Sequence, residues 1–168
     1  MDAISLQRIQ LLHPKLRAEA TLILGEIEKV LTGKARCRFS FTLRTFPEQQ
    51  AIYNQGRTTN GAIVTNAKAG QSLHNYGLAV DIAFIVDTDG NGTYETTSWN
   101  TTADFDKDGK PDWMECVAIF KKYGWEWGGS WTSFKDLPHF QKTFGLTWQK
   151  CLELHNNKHV DSKGYILI

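Results

Sequence analysis

Two histidines and two aspartates lie in a pattern that suits a catalytic metal. His74 precedes Asp81 by seven residues, and Asp136 stands three positions before His139. Two imidazoles and one carboxylate are a typical ligand set for catalytic zinc, and they leave one coordination position for water. The remaining carboxylate can accept a proton from that water. These residues therefore predict a zinc-dependent hydrolase.

A lone histidine more often packs or hydrogen-bonds in the fold than binds a metal. The surroundings of His74 favour the metal, because Gly77 allows close backbone approach and Asp81 opens an otherwise apolar strand. A carboxylate buried there must pair with a cation or bind a metal. Pro138 favours an extended entry of His139 into a strand.

Other catalytic patterns find less support. His155 and His159 have the spacing of a zinc-proteinase helix, but the glutamate is missing and the two asparagines between them are poor helix formers. We therefore expect a solvated tail there. No serine lies in a Gly-x-Ser-x-Gly elbow. The cysteines are odd in number and widely spaced, so we expect buried free thiols at Cys37, Cys116 and Cys151.

Apolar periodicity predicts the elements that must position the candidate residues. In the strand over 36–44, the alternation places Phe39, Phe41 and Leu43 on one side. The order α-β-α-β-α-β-β, with few parallel crossovers, predicts an α+β fold with a small, mainly antiparallel sheet flanked by helices. The expected elements are helices over about 5–31 broken at Pro14, the strand over 36–44, a helix from 47, a loop over 56–70, a strand over 80–86, a helix over 113–123, and short strands near 125–129 and 139–141.

Length and charge limit the classes of protein. The 168 residues suit one domain over 1–168, and a formal net charge of +1 gives no global attraction to nucleic acid or anionic lipid. The amino terminus has no basic leader pattern, and no apolar run approaches the roughly 20 residues of a membrane span. We expect a monomer, synthesised in the cytoplasm without a signal peptide and without membrane insertion.

A polar segment, 87–112, makes up most of an acidic insertion at about 87–115. The part of the insertion from Asp104 to Glu115 follows a calcium-loop pattern. Oxygen ligands occupy positions 1, 3, 5, 9 and 12 of the loop, with glycine at 6 and a backbone carbonyl at 7. A solvated acidic loop is the alternative, and Pro111 at position 8 departs from the pattern. The segment 87–98 starts similarly but has Ser98 at the twelfth position, so it either lends ligands to the same ion or forms a plain turn. The predicted calcium ligands are Asp104, Asp106, Asp108, Lys110 through its carbonyl, Asp112 and Glu115.

Four motifs in order resemble the M15 zinc peptidases, in particular the L-alanyl-D-glutamate endopeptidase branch that includes phage endolysins. The resemblance runs from about Arg44 to Phe144, interrupted by the acidic insertion, and implies a hedgehog or D,D-peptidase-like fold. The motifs are the arm from Arg44 to Thr58, Ser72-x-His74-x-x-Gly77-x-Ala79-x-Asp81, Glu126-x-Gly-Gly-x-Trp131 and Asp136-x-Pro-His139-Phe140.

The resemblance also implies roles for individual residues. It makes His74, Asp81 and His139 the zinc ligands and Asp136 the catalytic acid/base, where many relatives carry glutamate. Arg44 would hold a substrate carboxylate or polarise the scissile carbonyl, a role suited to a fixed fork of donors. Glu126 competes with Asp136 for the role of base and could instead orient a ligand histidine. Ser72 would either support a zinc ligand from outside the coordination sphere or contact the substrate.

Three functions follow from the sequence. The first is a zinc endopeptidase that cuts the L-Ala-D-Glu bond of peptidoglycan stem peptides, as an endolysin-like enzyme that reaches the cell wall by release or export. The second is a D-alanyl-D-alanine carboxypeptidase, and the third is a non-enzymatic calcium-binding module. The arm that contains Arg57 and Thr58 favours the first. Since the acidic insertion lies between two zinc ligands, calcium could order the wall of the active site.

Overall fold

Five helices and five strands form the fold in the computed structural model, which describes residues 1–168. Proline begins the second helix after a short first one, as the sequence predicts. Two short 3-10 turns cover Leu73–Tyr76 and Gly128–Ser130. The elements are α1 Ala3–Ile9, α2 Pro14–Val30, β1 Ala35–Phe41, α3 Phe46–Asn54, β2 Ala79–Val86, β3 Thr96–Ser98, α4 Asp112–Lys122, β4 Glu126–Trp127, β5 His139–Gln141 and α5 Trp148–Asn156.

The sheet is antiparallel throughout, with strand order β1-β2-β5-β4. The short strand β3 pairs with the far end of β2. Strand β2 is therefore the centre of the sheet, because it pairs with β1, β3 and β5. The α+β prediction, with its small antiparallel sheet, is confirmed.

The two faces of β2 carry side chains with different roles. Side chains alternate between the faces of a strand, and those of Val80, Ile82, Phe84 and Val86 join the main apolar core with α2 and α4. Asp81 lies on the opposite face. The central strand thus carries a potential metal ligand on one face, while its other face packs in the core.

Aromatic pairs tie the helices to this core. The ring of Phe120 on α4 stacks on Phe140 of β5, with centroids 4.0 Å apart. Phe84 meets Trp113 edge to face at 5.2 Å and Phe105 of the acidic insertion at 6.1 Å. The insertion is therefore packed directly against the central strand.

The alternation predicted for the first strand is wrong at its end. A bulge shifts the register between Phe39 and Phe41. Phe39 is fully buried, whereas Phe41 is 39% exposed and Thr42 becomes buried. An extra residue in one strand reverses which face the following side chains occupy, so Phe41 lies on the side of the candidate site.

The predicted solvated tail over 155–159 is wrong at His155, whereas residues 156–159 are exposed as expected. Helix α5 extends through His155, and it begins at the side-chain cap of Thr147, which accepts a hydrogen bond from the amide of Lys150. His155 is half-buried and packs on Phe46, with ring centroids 4.6 Å apart. The helix ends at Asn156, within the pair of asparagines, which agrees with their poor helix propensity. The cysteine prediction is confirmed: Cys37, Cys116 and Cys151 are buried and free.

None of the helices combines the length and the hydrophobicity that a bilayer crossing requires.

Substitution of Phe84 by alanine should cost about 3–5 kcal/mol of unfolding free energy, because a fully buried ring leaves a cavity between the sheet, α4 and the insertion. Urea denaturation measures the effect. Phe134→Ala is the control, since Phe134 is 82% exposed and its loss should change stability by less than about 0.5 kcal/mol. Equal effects of the two substitutions would contradict this description of the core.

Candidate metal centre

Three side chains from different segments meet in one cluster. Oδ1 of Asp81 lies 3.1 Å from Nε2 of His74 and 3.1 Å from Nδ1 of His139. The two imidazole nitrogens are 3.2 Å apart. Both histidines are buried, and Asp81 is partly buried. The structure therefore brings together all three residues predicted as zinc ligands.

Sheet register and one capped turn position the cluster. Asp81 and His139 are direct partners in the pairing of β2 with β5. His74 lies in the 3-10 turn, which is held by a reciprocal cap: Ser72 Oγ accepts from the amide of His74, and Asn75 Oδ1 accepts from the amide of Ser72. Gly77 ends the turn in the left-handed region, at φ 67°. Ser72, predicted near the site, thus shapes the backbone that carries a ligand.

The backbone fixes which nitrogen of His74 is available. Nδ1 lies 2.6 Å from the carbonyl oxygen of Thr42, which can only accept a hydrogen bond, so Nδ1 carries the proton. Nε2 is then an acceptor that faces Asp81. Such a partner on the second nitrogen is the usual way in which proteins orient a histidine ligand.

The electrostatics of the cluster favour a shared cation. Burial alone would raise the pKa of Asp81, but the two histidines outweigh it and hold that pKa well below its usual range. Burial opposes the charged form of His139, yet the hydrogen bond and charge of Asp81 raise its pKa. Three facing acceptors need a proton or a metal ion between them.

The spacing of the three atoms fits zinc. Zinc bonds to nitrogen and oxygen of about 2.0–2.2 Å in a tetrahedron place neighbouring ligand atoms roughly 3.3–3.5 Å apart. The observed separations of 3.1–3.2 Å are close to this value. His74, Asp81 and His139 can hold the metal with small adjustments and leave a fourth position open to the cleft.

Asp136 lines the same cleft, and its carboxylate has no hydrogen-bond partner in the protein. Asp136 is exposed at the surface, but partial desolvation of its carboxylate in the cleft raises its pKa above the ordinary value for an aspartate, and the charge of Asp81 adds to the rise. His139 and Arg44 act in the opposite sense without cancelling it. An unpaired carboxylate with a raised pKa beside a metal position can exchange protons with water there.

Gly128 allows the segment 136–139 to approach the sheet closely. A Cβ atom at this position would lie 2.5 Å from the carbonyl oxygen of Asp136 and 3.2 Å from Cβ of His139. The amide of Asp136 donates to the carbonyl of Gly128. The absence of a side chain at Gly128 therefore sets the position of two candidate site residues.

Arg44 points into the cleft from the segment after β1. Its guanidinium lies over the ring of Phe41, 4.4 Å from the centroid, and donates through Nη1 to Oε1 of Gln49. Gln49 is fully buried and also donates to the carbonyl of Ala67. The remaining donors of Arg44 are free to bind a carboxylate or carbonyl of a substrate.

The cleft has a volume of about 840 Å³ and its wall includes Trp131 and Glu126. Three residues of the site were not predicted: Thr42, Gln49 and Gln141. Thr42 takes part through its backbone carbonyl, which every residue has, so the sequence gives no sign of this role. Gln49 and Gln141 do not stand out in the sequence because glutamines are common on exposed helices and strands. Glu126 does not point at the metal position, because Trp131 and Gln141 each donate to one of its oxygens.

The acidic insertion brings three predicted calcium ligands together. Carboxylate oxygens of Asp104, Asp106 and Asp108 lie within 4.8 Å of one another. Asp112 stands in the first turn of α4, 1% exposed, and accepts from the amide of Phe105. Glu115 has a buried oxygen, Oε2, without a hydrogen-bond partner.

The incomplete segment 87–98 folds in a similar way. Asp87 accepts hydrogen bonds from the amides of Gly90, Asn91 and Gly92, and Asp104 accepts from the corresponding amides of its own loop. Carboxylates of Asp87, Asp89 and Glu95 form a separate cluster.

Comparisons with known proteins find similarity over part of the chain. Residues 65–142 match the M15 peptidase family model described as D-alanyl-D-alanine carboxypeptidase. The peptidoglycan L-alanyl-D-glutamate endopeptidase CwlK of Bacillus subtilis (strain 168) is 48% identical over 98 residues, which are 58% of this chain and 55% of that protein. The chain thus spans about half the length of this curated relative. The resemblance predicted from the motifs is confirmed over the matched residues.

A solved structure shares the fold. The crystal structure of the Serratia marcescens L-Ala D-Glu endopeptidase ChiX matches with a TM-score of 0.54 and 23% identity, and the match covers 86% of this chain and 90% of that chain. The alignment of so much of both chains supports the antiparallel α+β architecture described above.

Replacement of Gly128 by alanine should weaken zinc binding at least about tenfold, because the added Cβ displaces the backbone of Asp136 and with it His139. Overpacking should also cost about 1–3 kcal/mol of stability. Chelator competition and thermal unfolding measure the two effects. Gly25→Ala is the control: it lies inside α2 with nothing within 4 Å of the new Cβ, and should not alter zinc affinity. Unchanged affinity in the Gly128 variant would contradict the role of this close approach.

Proposed function

Since residues 65–142 match the M15 peptidase family model, we propose that the chain is a zinc metallopeptidase that hydrolyses the L-Ala-D-Glu bond of peptidoglycan stem peptides. The main support for this proposal is the cluster of acceptor atoms of His74, Asp81 and His139, which lie 3.1–3.2 Å apart. The unpaired carboxylate of Asp136 lies beside them in an open cleft. The activity in the name of the Bacillus subtilis relative supports the choice of bond.

In this proposal His74, Asp81 and His139 hold the zinc ion. Zinc held there would lower the pKa of a water molecule and polarise an amide carbonyl. Asp136 accepts the proton of the attacking water and delivers it to the leaving amine nitrogen as the C–N bond breaks. The raised pKa of Asp136 suits both steps, because the same group must take up and release a proton.

Arg44 binds the substrate in this scheme. The contact with the ring of Phe41 and the hydrogen bond to Gln49 already fix its side chain. Little conformational freedom is therefore lost when Arg44 binds a ligand. Stem peptides carry free carboxylates close to the scissile bond, and a planar guanidinium recognises a carboxylate with two parallel hydrogen bonds. Burial lowers the pKa of Arg44, and the nearby charges of Asp81, Glu48 and Asp136 oppose this shift without cancelling it.

The alternative activity is a D-alanyl-D-alanine carboxypeptidase, which the description of the matching family favours. Both enzymes would use the same metal centre and differ in the part of the stem peptide that fills the cleft. The proposed endopeptidase would act as an endolysin-like enzyme and reach the wall by release or export.

Digestion of purified muropeptides by the zinc-loaded protein should create fragments that end in L-Ala and fragments that begin with D-Glu, as read by mass spectrometry. Release of D-alanine alone would identify the carboxypeptidase instead. The absence of any new terminus, with zinc bound at one equivalent, would contradict both activities.

Asp136→Asn should lower kcat by about 10²–10⁴-fold, because an amide cannot carry the proton from water to the leaving nitrogen. Zinc content, measured by atomic absorption, should remain at the wild-type level because Asp136 is not a ligand in this scheme. Glu153→Gln, on the exposed face of α5, is the control and should leave kcat unchanged. A variant at Asp136 with wild-type kcat would exclude this residue as the acid/base.

We further propose that the acidic insertion binds calcium through Asp104, Asp106, Asp108, Lys110, Asp112 and Glu115. Burial raises the pKa of both Asp112 and Glu115, and the neighbouring carboxylates raise them further. Together with the unpartnered oxygen of Glu115, this indicates an excess of negative charge, of which Lys110 balances only a part through its ion pair with Asp108. A divalent cation supplies that balance.

The insertion is mechanically linked to the central strand. Thr32 donates its amide and hydroxyl to Asp106, and the ring of Phe105 packs on Phe84 of β2. Asp81 belongs to the same strand. Calcium would therefore stiffen the loop that packs on the strand carrying a zinc ligand.

Calcium at about 100 times its Kd should raise the Tm of the zinc-loaded protein by about 5–10 °C. Glu115→Gln should remove most of this shift, because an amide cannot replace the bidentate carboxylate. Glu153→Gln is again the matched control and should keep the full shift. If calcium changed neither the Tm nor the activity of the wild type while zinc stayed bound, the calcium site would be disproved.

A further inference from the structure

We infer that Glu126 and Gln141 form a hydrogen-bond relay that fixes the tautomer and orientation of His139. Both are positioning residues, since neither faces the metal position. The inference rests on the proposed function, because it assigns a task to His139 as a zinc ligand.

The relay follows from the geometry of two short strands. Glu126 and Gln141 are direct partners in the pairing of β4 with β5. His139 and Gln141 are two residues apart on β5, so their side chains lie on the same face. Gln141 Nε2 donates to Glu126 Oε2 at 2.8 Å, and Gln141 Oε1 lies 3.0 Å from His139 Nε2.

The side chains of Glu126, Gln141 and His139 can pair donor with acceptor in only one way. An ionised carboxylate can only accept, so the amide nitrogen of Gln141 must face Glu126. The amide oxygen then faces His139 and can only accept, which requires that Nε2 of His139 carries the proton. Nδ1 is left as the ring atom with a lone pair, and it is the atom that faces Asp81 at 3.1 Å.

The second oxygen of Glu126 is also in use. Trp131 Nε1 donates to Glu126 Oε1 at 2.5 Å, and the Trp131 ring lies 5.4 Å from the ring of His139. With one hydrogen bond accepted at each oxygen, Glu126 is directed at Trp131 and Gln141 and not at the position of the attacking water. The same carboxylate connects the wall of the cleft with a metal ligand, and Asp136 is left as the only unpaired carboxylate beside the cluster.

Exchange of the two residues tests the direction of the relay. Glu126→Gln leaves one acceptor oxygen for two donors, Trp131 Nε1 and Gln141 Nε2, so Gln141 loses its fixed orientation. Gln141→Glu places two carboxylates against each other and so displaces the group that accepts from His139. Each single variant should weaken zinc binding about tenfold, as loss of an outer partner of a histidine ligand usually does. The double variant Glu126→Gln/Gln141→Glu restores donor against acceptor at both contacts and should bind zinc within about threefold of the wild type.

The readouts are zinc affinity by chelator competition and the ¹⁵N shifts of His139, which report the ring protonation directly. In Glu126→Gln the Nε2-protonated form should decrease in the zinc-free protein, because the amide of Gln141 can turn its nitrogen toward His139, and it should return in the double variant, where a carboxylate faces Nε2. Any decrease in kcat that accompanies weaker zinc binding in the single variants should disappear at saturating zinc. Glu153→Gln serves as the control with wild-type values throughout, and thermal unfolding shows that each variant is folded.

The outcomes separate this inference from the proposed function. If the wild type bound no zinc, or His139→Ala bound it as tightly, the proposed function would be wrong. If the wild type bound zinc and the single variants kept its affinity and histidine shifts, or the double variant was weaker than both, the relay would be wrong and the metal centre would stand.

Discussion

Three electron-pair donors face one another at 3.1–3.2 Å in this protein, and their mutual repulsion is the constraint on which the rest of the structure depends. Such an arrangement is unfavourable unless a cation lies between the atoms. The arrangement persists only because neighbouring groups fix each of the three side chains in place. The carbonyl of Thr42, just after the bulged first strand, holds His74. Strand pairing holds Asp81 and His139, and Gln141 supports His139 at its other ring nitrogen.

The fold supplies this rigidity by making one strand serve two purposes. Alternate side chains of β2 belong to the apolar core, so the strand cannot shift or rotate without disrupting that packing. Asp81 is therefore fixed as firmly as its hydrophobic neighbours. Binding energy from a metal need not be spent on ordering the backbone, which is the advantage of a preorganised site.

The sequence was sufficient for the parts of the structure that depend on local pattern. The helices, the central strand, the antiparallel α+β class and the meeting of His74, Asp81 and His139 could all be predicted from periodicity and motif spacing. The bulge after Phe39, the packing of His155 on Phe46 and the contacts of Gln49 and Gln141 could not. Each depends on contacts between residues far apart in the chain, for which one sequence contains no direct signal.

The acidic insertion leaves the sheet at the end of β2, while Asp81 lies near its beginning. Six residues of extended chain, about 20 Å, separate Asp81 from Asp87. The strand partner that completes the metal centre, β5, pairs only with the near end of β2. The chain can therefore lengthen, shorten or exchange this excursion during evolution without altering the register at the metal centre, which makes the far end of the strand a natural place for lineage-specific control.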